Sequence, residues 1–193
     1  VNQPIKVIGN KVGEFSRFSD KIDDFRVYER VLNDSEIVDL YGQGNGDFGA
    51  HRYNTYSPVF DNSPEILPPL NPIVHWTFDE LNGTTVVDSS GVGNNADASL
   101  FGDLYLFSEV GRDGTALRFD GNQSFVLNVT DPSKFSLSNS FSIGFWLYTD
   151  DLDGIIFRND RIKLYISNGF ITPEVRIDGW KILSSFPVIS DQW

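Results

Sequence analysis

The chain has 193 residues, 40% of them hydrophobic and 14% aromatic, which supplies enough apolar material for the core of one or two domains. Its 27 acidic and 15 basic side chains give a formal net charge of −12, and such a surface repels phosphate backbones, so we expect no nucleic-acid partner. The sequence has no Cys, which excludes disulfides and thiol catalysis, and it has no apolar run of the roughly 18 to 20 residues that span a bilayer, so we expect no membrane insertion.

The first predicted element is a strand in the segment KIDDFRVYERV. Alternation of apolar and polar residues places Phe25 and Val27 on one face and Asp24, Arg26 and Tyr28 on the other. This period of two is typical of a strand that buries one of its faces.

A short helix is predicted directly after this strand, and a capping box marks its start. Asn33 is the predicted N-cap, and Glu36 lies three residues further on, where its carboxylate can accept a hydrogen bond from the N-cap amide. Leu32 and Ile37 occupy the positions of a hydrophobic staple, and we expect Gly42 to end the helix.

Residues 43–72 contain five of the nine prolines of the chain, together with several Gly and Asn. Proline fixes φ and lacks an amide donor, so this stretch predicts a loop or a semi-rigid linker and not a sheet interior. Within it, Gly44–Gly49 fits the pattern G-x-G-x-x-G, but no predicted strand precedes the pattern and no predicted helix follows it. It therefore does not indicate a dinucleotide site.

From Pro72 onward the pattern is almost entirely strand and turn. The segment 141–148 alternates apolar residues with small and aromatic ones. The segment 161–167 also alternates, and it ends at Asn168-Gly169, which is typical of a tight β-hairpin turn. Short strands at this spacing predict antiparallel sheets that pack face to face.

Two segments resemble signatures of the laminin-G-like, concanavalin-A-like jelly-roll superfamily. The segment 21–41 is similar to the closing strand and short helix of such a domain, and the segment 74–91 is similar to its opening strand and turn. Further matches are A-L-x-F-D-G at 116–121 and S-F-S-I-G-F-W at 140–146. The resemblance implies an all-β fold, an antiparallel jelly-roll β-sandwich with one short helix near 34–41.

In this family the closing segment comes last, whereas in this chain it comes first. The resemblance therefore implies that residues 1–42 are the C-terminal part of one laminin-G-like domain, that 43–72 are a linker, and that 73–193 are the N-terminal part of a second domain. The chain is then a segment of a longer protein. Each half sandwich would expose an apolar face, which either the rest of that protein or a neighbouring copy would have to cover.

The resemblance also implies a structural calcium ion, because in many such domains calcium ties the opening segment to the closing strand. The matching positions are Asp79 and Asp88 in the second predicted domain and Asp23 or Asp24 in the first. Calcium takes six to eight oxygen ligands, which distant loops can supply. The alternative is that Asp79 and Asp88 only cap turns and that Asp24 pairs with Arg26. Since the two pairs fall in different predicted domains, we expect no complete site within one domain copy.

Four aromatic side chains are predicted on the outward phase of their strands and are candidates for ligand binding, because aromatic faces stack on sugar rings: Trp146, Tyr148, Tyr165 and Trp180. The alternative is that they pack under loops or against a neighbouring domain.

Sequons for N-glycosylation occur at Asn33, Asn82, Asn122 and Asn128. Asn122, in a predicted hairpin turn, is the best acceptor of the four. The predicted N-cap Asn33 is a poor one, because its side chain is expected to bond to the helix backbone.

The sequence lacks recognisable catalytic patterns. The two histidines, His51 and His75, have no zinc-ligand spacing around them, and neither the E-x-D-x-E triplet of glucanases nor a G-x-S-x-G motif occurs. We therefore expect this segment to have no enzymatic activity.

Three functional hypotheses follow from the resemblance. The first is a non-catalytic extracellular or cell-surface module of a larger multidomain protein, in adhesion or structural assembly. The second is a carbohydrate-binding accessory module of a secreted glycoside hydrolase, and the third is a self-assembling filament or sheath subunit. The expected partners are a carbohydrate or protein ligand at the cell surface, or neighbouring copies of the chain.

Overall fold

The computed structural model describes these residues: 7–9, 18, 21–43, 71–80, 85–92, 96–98, 108–119, 124–125, 127–129, 140–149, 153–158, 161–176 and 180–188. They form one helix and a set of short strands. The bounds are β1 Val7–Gly9, β2 Lys21–Tyr28, α1 Asp34–Gln43, β3 Val74–Trp76, β4 Thr85–Val86, β5 Ala96–Ala98, β6 Ser108–Val110, β7 Thr115–Arg118, β8 Ser124–Phe125, β9 Leu127–Val129, β10 Ser142–Tyr148, β11 Gly154–Arg158, β12 Ile162–Ser167, β13 Phe170–Arg176, β14 Trp180–Ile182 and β15 Phe186–Pro187.

The strands form antiparallel sheets, which confirms the prediction of an all-β fold. Sheet A has the order β14-β13-β12-β11-β1-β8, with β15 also paired to β13. Sheet B has the order β10-β2-β7-β6, with β3 also paired to β2, and the small sheet C has the order β4-β5-β9. Within the described part of the chain, no helix has the length and apolar character needed to cross a membrane.

Strand β2 lies at the centre of sheet B and joins the beginning of the chain to its second half. One edge of β2 pairs with β10, and the other pairs with β7 and β3. The sequence assigned β2 and these partners to two different domains, whereas the structure places them in one sheet of one chain. Strand β2 can share a sheet with them because its apolar residues pack in the core and each of its edges pairs with another strand. The boundaries at 42 and 72 stay a prediction, because residues 44–70 lie outside the described residues.

One hydrophobic core draws buried side chains from sheets A and B. Phe25 of β2 lies near its middle, with ring centroids 5.4 Å from Trp76, 5.9 Å from Phe145 and 6.2 Å from Phe157. Contacts between these rings span both sheets, so β2 contributes directly to the shared core. The buried members are Phe18, Ile22, Phe25, Val27, Val74, Trp76, Phe78, Val86, Leu117, Phe119, Ile156, Phe157, Ile162 and Ile166.

Helix α1 begins with the predicted capping box. The Glu36 amide donates to Asn33 Oδ1 at 2.9 Å, and the Asn33 amide donates to a Glu36 carboxylate oxygen at 2.9 Å. Arg30 donates to both oxygens of Glu36, and these hydrogen bonds lower the pKa of that carboxyl. The helix continues to Gln43, one residue beyond the predicted end, and Ile37 is about half exposed, so the predicted staple leaves this side chain largely uncovered.

The predicted hairpin between β12 and β13 is confirmed. Asn168 and Gly169 have φ values of 50° and 75°, and the flanking residues Ser167 and Phe170 are paired. Two consecutive positive φ angles match the twist of the adjoining strands, which explains the Asn-Gly sequence.

Candidate functional site

An irregularity in β2 creates the candidate site. On one edge, β2 pairs first with β7 and then with β3, and Asp23 and Asp24 lie in the gap between these two partners. Asp24 has a φ of 52°, in the left-handed region. The register toward β10 shifts at the same place, between Gly144 and Trp146. Such a β-bulge changes the direction of neighbouring side chains and here brings two consecutive carboxylates to one point of the sheet.

Asp23 is fully buried and holds the turn that precedes β7. Its Oδ2 accepts hydrogen bonds from the amides of Arg112 at 2.7 Å and Asp113 at 3.1 Å, whereas its Oδ1 is buried without a hydrogen-bond partner. Burial raises the pKa of Asp23 from its ordinary value of 3.8 to about 6, against the opposing effect of the two amide donors. A buried carboxylate oxygen without a partner is costly, so Asp23 is a position where a proton or a cation would be taken up.

Asp79, which follows β3, holds the other side of the same turn. Its Oδ1 accepts a hydrogen bond from the Thr115 amide at 2.9 Å. Gly114 has a φ of 65°, and a Cβ at this position would clash with Asp79 Oδ1. Asp23 and Asp79 therefore fix the turn 111–115 from two sides. The two carboxylates were expected in different domains, but they act on one turn of one chain.

Asp88 has the contacts that the turn-capping alternative expects. Its Oδ1 accepts hydrogen bonds from the His75 amide at 2.9 Å and the Ser90 amide at 3.0 Å, and its Oδ2 accepts one from Ser90 Oγ at 2.7 Å. These bonds fix the turn after β4 to β3.

Asp24 pairs with cationic and polar groups beside it. Its Oδ2 lies 2.8 Å from an Arg26 guanidinium nitrogen, and its Oδ1 lies 2.5 Å from His75 Nε2. The four predicted metal ligands are therefore not brought together as one set. Among the residues with described positions, no group of three or more His, Cys, Asp or Glu side chains could hold a metal ion.

A groove of about 390 Å³ lies between α1 and the strands β2 and β10. Gly144 is one of its lining residues, and a Cβ added there would meet no atom within 4 Å, so the missing side chain leaves this space open. The lining residues are Asp24, Arg26, Leu32, Ile37, Leu40, Tyr41, Ser142, Ile143, Gly144, Phe145 and Trp146. A concave, mainly apolar site with a few polar groups is the usual form of a ligand site.

Trp146, one of the predicted binding residues, lies in this groove between two other side chains. Its ring centroid is 5.1 Å from that of Tyr41 on α1, and the Arg112 guanidinium carbon lies 4.9 Å from the Trp146 centroid. The amide of Arg112 donates a hydrogen bond to Asp23. The turn 111–115, which Asp23 and Asp79 fix, therefore also positions the Arg112 guanidinium on the Trp146 indole.

Tyr148 and Tyr165 do not join Trp146 in the groove. Tyr148 packs under Lys21, whose Nζ lies 5.0 Å from the ring centroid. Tyr165 belongs to sheet A, where its hydroxyl donates to Glu174 at 2.8 Å, and its pKa is raised by burial and by that carboxylate. The side chain of Trp180 lies outside the described residues. Of the three predicted aromatic residues whose side chains the structure describes, only Trp146 lines the groove.

The predicted glycosylation positions are only partly described. Asn82 and Asn122 lie outside the described residues, and Asn128 lies in β9, where it pairs with Asp97 of β5. The use of these sequons stays a prediction.

No family model, curated protein or solved structure matches this chain. The resemblance to laminin-G-like domains is therefore carried by the quoted motifs alone.

Sequence reasoning missed Tyr41, Leu40 and Gly144 as parts of a site. Tyr41 and Leu40 were included only in the predicted helix, and Gly144 only in the alternation of a strand. One available signal was the apolar character of a short surface helix, because Ile37, Val38 and Tyr41 remain more than half exposed.

Proposed function

We propose that this chain is a non-catalytic module of a larger extracellular or cell-surface protein, and that it acts in adhesion or structural assembly by binding a ligand in the groove between α1 and sheet B. The observation that supports the proposal is the groove itself. Its lining combines open space at Gly144, the aromatic residues Trp146 and Tyr41, and the charged residues Asp24 and Arg26.

The proposed fold is the laminin-G-like jelly roll. Two antiparallel sheets with a common core are consistent with it. A further support is that β2, which resembles the family's closing strand, pairs directly with β3, which resembles its opening strand. This pairing supplies, within one chain, a strand that the filament hypothesis expected from a neighbouring copy.

The Gly144→Ile variant tests the proposed groove. The new side chain enters open space, and a β-branched residue suits a strand, so we expect stability to change by less than about 1 kcal/mol. Ligand binding should be lost. The measurement applies immobilised wild-type and variant protein to a glycan array and to an array of extracellular proteins, with thermal unfolding measured in parallel.

Thr85→Ile is the matched control, because it adds the same side chain at an exposed strand position outside the groove. The control should bind as the wild type does. Absence of any ligand on both arrays, or equal binding by wild type and Gly144→Ile, would refute the proposed function.

The second candidate is a carbohydrate-binding accessory module of a secreted glycoside hydrolase. The observation in its favour is the aromatic ring of Tyr41, which is 55% exposed beside Trp146 and could stack on a sugar ring. Ligands found only on the glycan array, and lost in Gly144→Ile, would favour this candidate over a protein ligand.

A structural calcium ion is part of the same proposal, restricted to Asp23 and Asp79. Two observations support this restriction. Asp23 and Asp79 both accept hydrogen bonds from amides of the turn 111–115, and the buried Oδ1 of Asp23 lacks a hydrogen-bond partner. Carboxylate and main-chain oxygens are the ligands that calcium prefers. We expect calcium to raise the melting temperature of the wild type and not that of Asp79→Asn. An equal melting temperature of the wild type in calcium and in chelator would contradict the calcium proposal. It would not bear on the proposed ligand binding in the groove.

A further inference from the structure

We infer that Asn33 is a site of N-linked glycosylation, and that its glycan and the N-cap of α1 use different atoms of one side-chain amide. The inference rests on the proposed extracellular location, because an oligosaccharyltransferase acts only on chains that leave the cytoplasm. The sequence made Asn33 a poor acceptor, since its side chain was expected to bond to the helix backbone. The structure shows which atom of the amide makes that bond.

The cap engages the oxygen of the Asn33 amide and leaves the nitrogen. Oδ1 accepts hydrogen bonds from the Glu36 amide at 2.9 Å and from Ser35 Oγ at 2.7 Å. The main-chain amide of Asn33 donates to the Glu36 carboxylate, which Arg30 holds in place. Nδ2 donates no hydrogen bond to any residue whose position the structure describes. The capping box therefore does not depend on this nitrogen.

Glycosylation changes the nitrogen and keeps the oxygen. A bond forms between Nδ2 and the anomeric carbon of the sugar, and the bond from that carbon to the phosphate oxygen of a lipid-linked oligosaccharide pyrophosphate breaks. The pyrophosphate leaves with the electron pair, and Nδ2 gives up one of its protons to a base of the transferase. The product is a secondary amide whose carbonyl oxygen still accepts hydrogen bonds. The glycosylated side chain therefore still caps α1.

The sequon lies where a bulky polar group reaches solvent. Asn33, Asp34 and Ser35 are all exposed, at the point where the chain enters the helix. The hydroxyl that the motif requires two residues after the Asn is in contact with the acceptor amide. Asn128, the other sequon with a described backbone, lies inside β9, where it pairs with Asp97. N-glycans are surface modifications, so these positions favour Asn33 over Asn128.

The experiment secretes the full chain from a eukaryotic host and maps its glycans. Peptide N-glycosidase converts each glycosylated Asn to Asp, which mass spectrometry of the peptides locates, with an untreated sample as the control for spontaneous deamidation. Protein retained inside the cells is analysed in the same way. We expect a glycan on Asn33 in the wild type and its loss in Ser35→Ala, which removes the sequon and keeps Asn33. Ser35→Thr is the matched control, because it keeps the hydroxyl and should keep the glycan.

The melting temperature tests whether the glycan and the cap coexist. Asn33→Asp removes the acceptor nitrogen and keeps an N-cap oxygen, whereas Asn33→Ala removes both. When all three proteins come from the same host, the glycosylated wild type should melt with Asn33→Asp. Asn33→Ala should melt about 2 to 4 °C lower, the shift expected for a lost N-cap in a chain of this size.

An unmodified Asn33 would refute the inference, whether the other sequons carry glycans or not. A glycosylated wild type that melts as low as Asn33→Ala would refute the shared use of the amide. Both results are distinguishable from a failure of the proposed function, because occupancy and melting are measured without a ligand. Absence of a ligand on the arrays would refute binding in the groove and would leave the occupancy of Asn33 unchanged.

Discussion

Replacing Asp23 with Asn should remove a large pH dependence of stability. The carboxyl is fully buried, and burial raises its pKa from 3.8 to about 6. At about 1.36 kcal/mol for each pKa unit, this difference amounts to about 3 kcal/mol between the two protonation states. Asn has nearly the same shape and keeps an oxygen that can accept the Arg112 and Asp113 amides, but it does not titrate in this range.

The sign of this pH dependence depends on whether the folded or the unfolded state binds the Asp23 proton more tightly. Because the pKa of Asp23 is higher in the folded state than in the unfolded state, the folded state holds more protons between about pH 4 and pH 6. The contribution of Asp23 is therefore fully present below the unfolded pKa and is lost as the pH rises to about 6. Urea unfolding of wild type and Asp23→Asn, with chelator present throughout, measures this effect as the difference between the two free energies of unfolding.

We expect the wild type to lose up to about 3 kcal/mol relative to Asp23→Asn between about pH 4 and pH 7. Asp39→Asn is the control, because it removes the charge of an exposed carboxyl and leaves the buried Asp23 in place. Its free energy of unfolding should depend on pH as that of the wild type does. Parallel profiles of wild type and Asp23→Asn would refute the reasoning, since they would show that Asp23 is either exposed or already ionised at low pH.

Two further predictions concern the turn and the helix. Gly114→Ala should cost about 3 kcal/mol, because the residue has a φ of 65° and its Cβ would clash with Asp79, whereas Gly91→Ala, at a φ of 81° with no atom near the Cβ, should cost about 1 kcal/mol. Equal losses of unfolding free energy in the two variants, measured by urea unfolding, would contradict the contact between Asp79 and the turn 111–115. Asn33→Ala should cost about 1 kcal/mol by removing the N-cap, and an unchanged melting temperature would show that the capping box contributes nothing.

The local elements could be predicted from the sequence because their causes are local. The capping box depends on Asn33 and Glu36, three residues apart, and the hairpin turn depends on the adjacent pair Asn168-Gly169. Strand alternation likewise predicted the inward residues of β10 and β12, which pack on the core. In each case the residue types that decide the conformation lie within a few positions of one another.

The pairing of β2 with β3 and β10 could not be predicted, because nothing in the segment 21–28 specifies a partner far along the chain. Motif order placed the segment 21–28 and its partners in separate predicted domains, whereas in the structure Phe25 contacts Phe145 of sheet B and Phe157 of sheet A. The groove depends on the same pairing, since α1 follows β2 directly and Gly144 lies on the adjacent strand. The left-handed backbone of Asp24 lies where the register between β2 and β10 shifts.

The most direct test of this account is a disulfide between β2 and β10. Lys21 and Tyr148 are paired across these strands, and the chain has no native Cys, so any disulfide of oxidised Lys21→Cys/Tyr148→Cys involves only these two positions. We expect mass spectrometry of the dilute, oxidised protein to find this disulfide within a monomer, with Lys21→Cys alone as the control. Disulfides found only between two chains, or two free thiols, would contradict the central claim that β2 completes the sheet and the groove of its own chain.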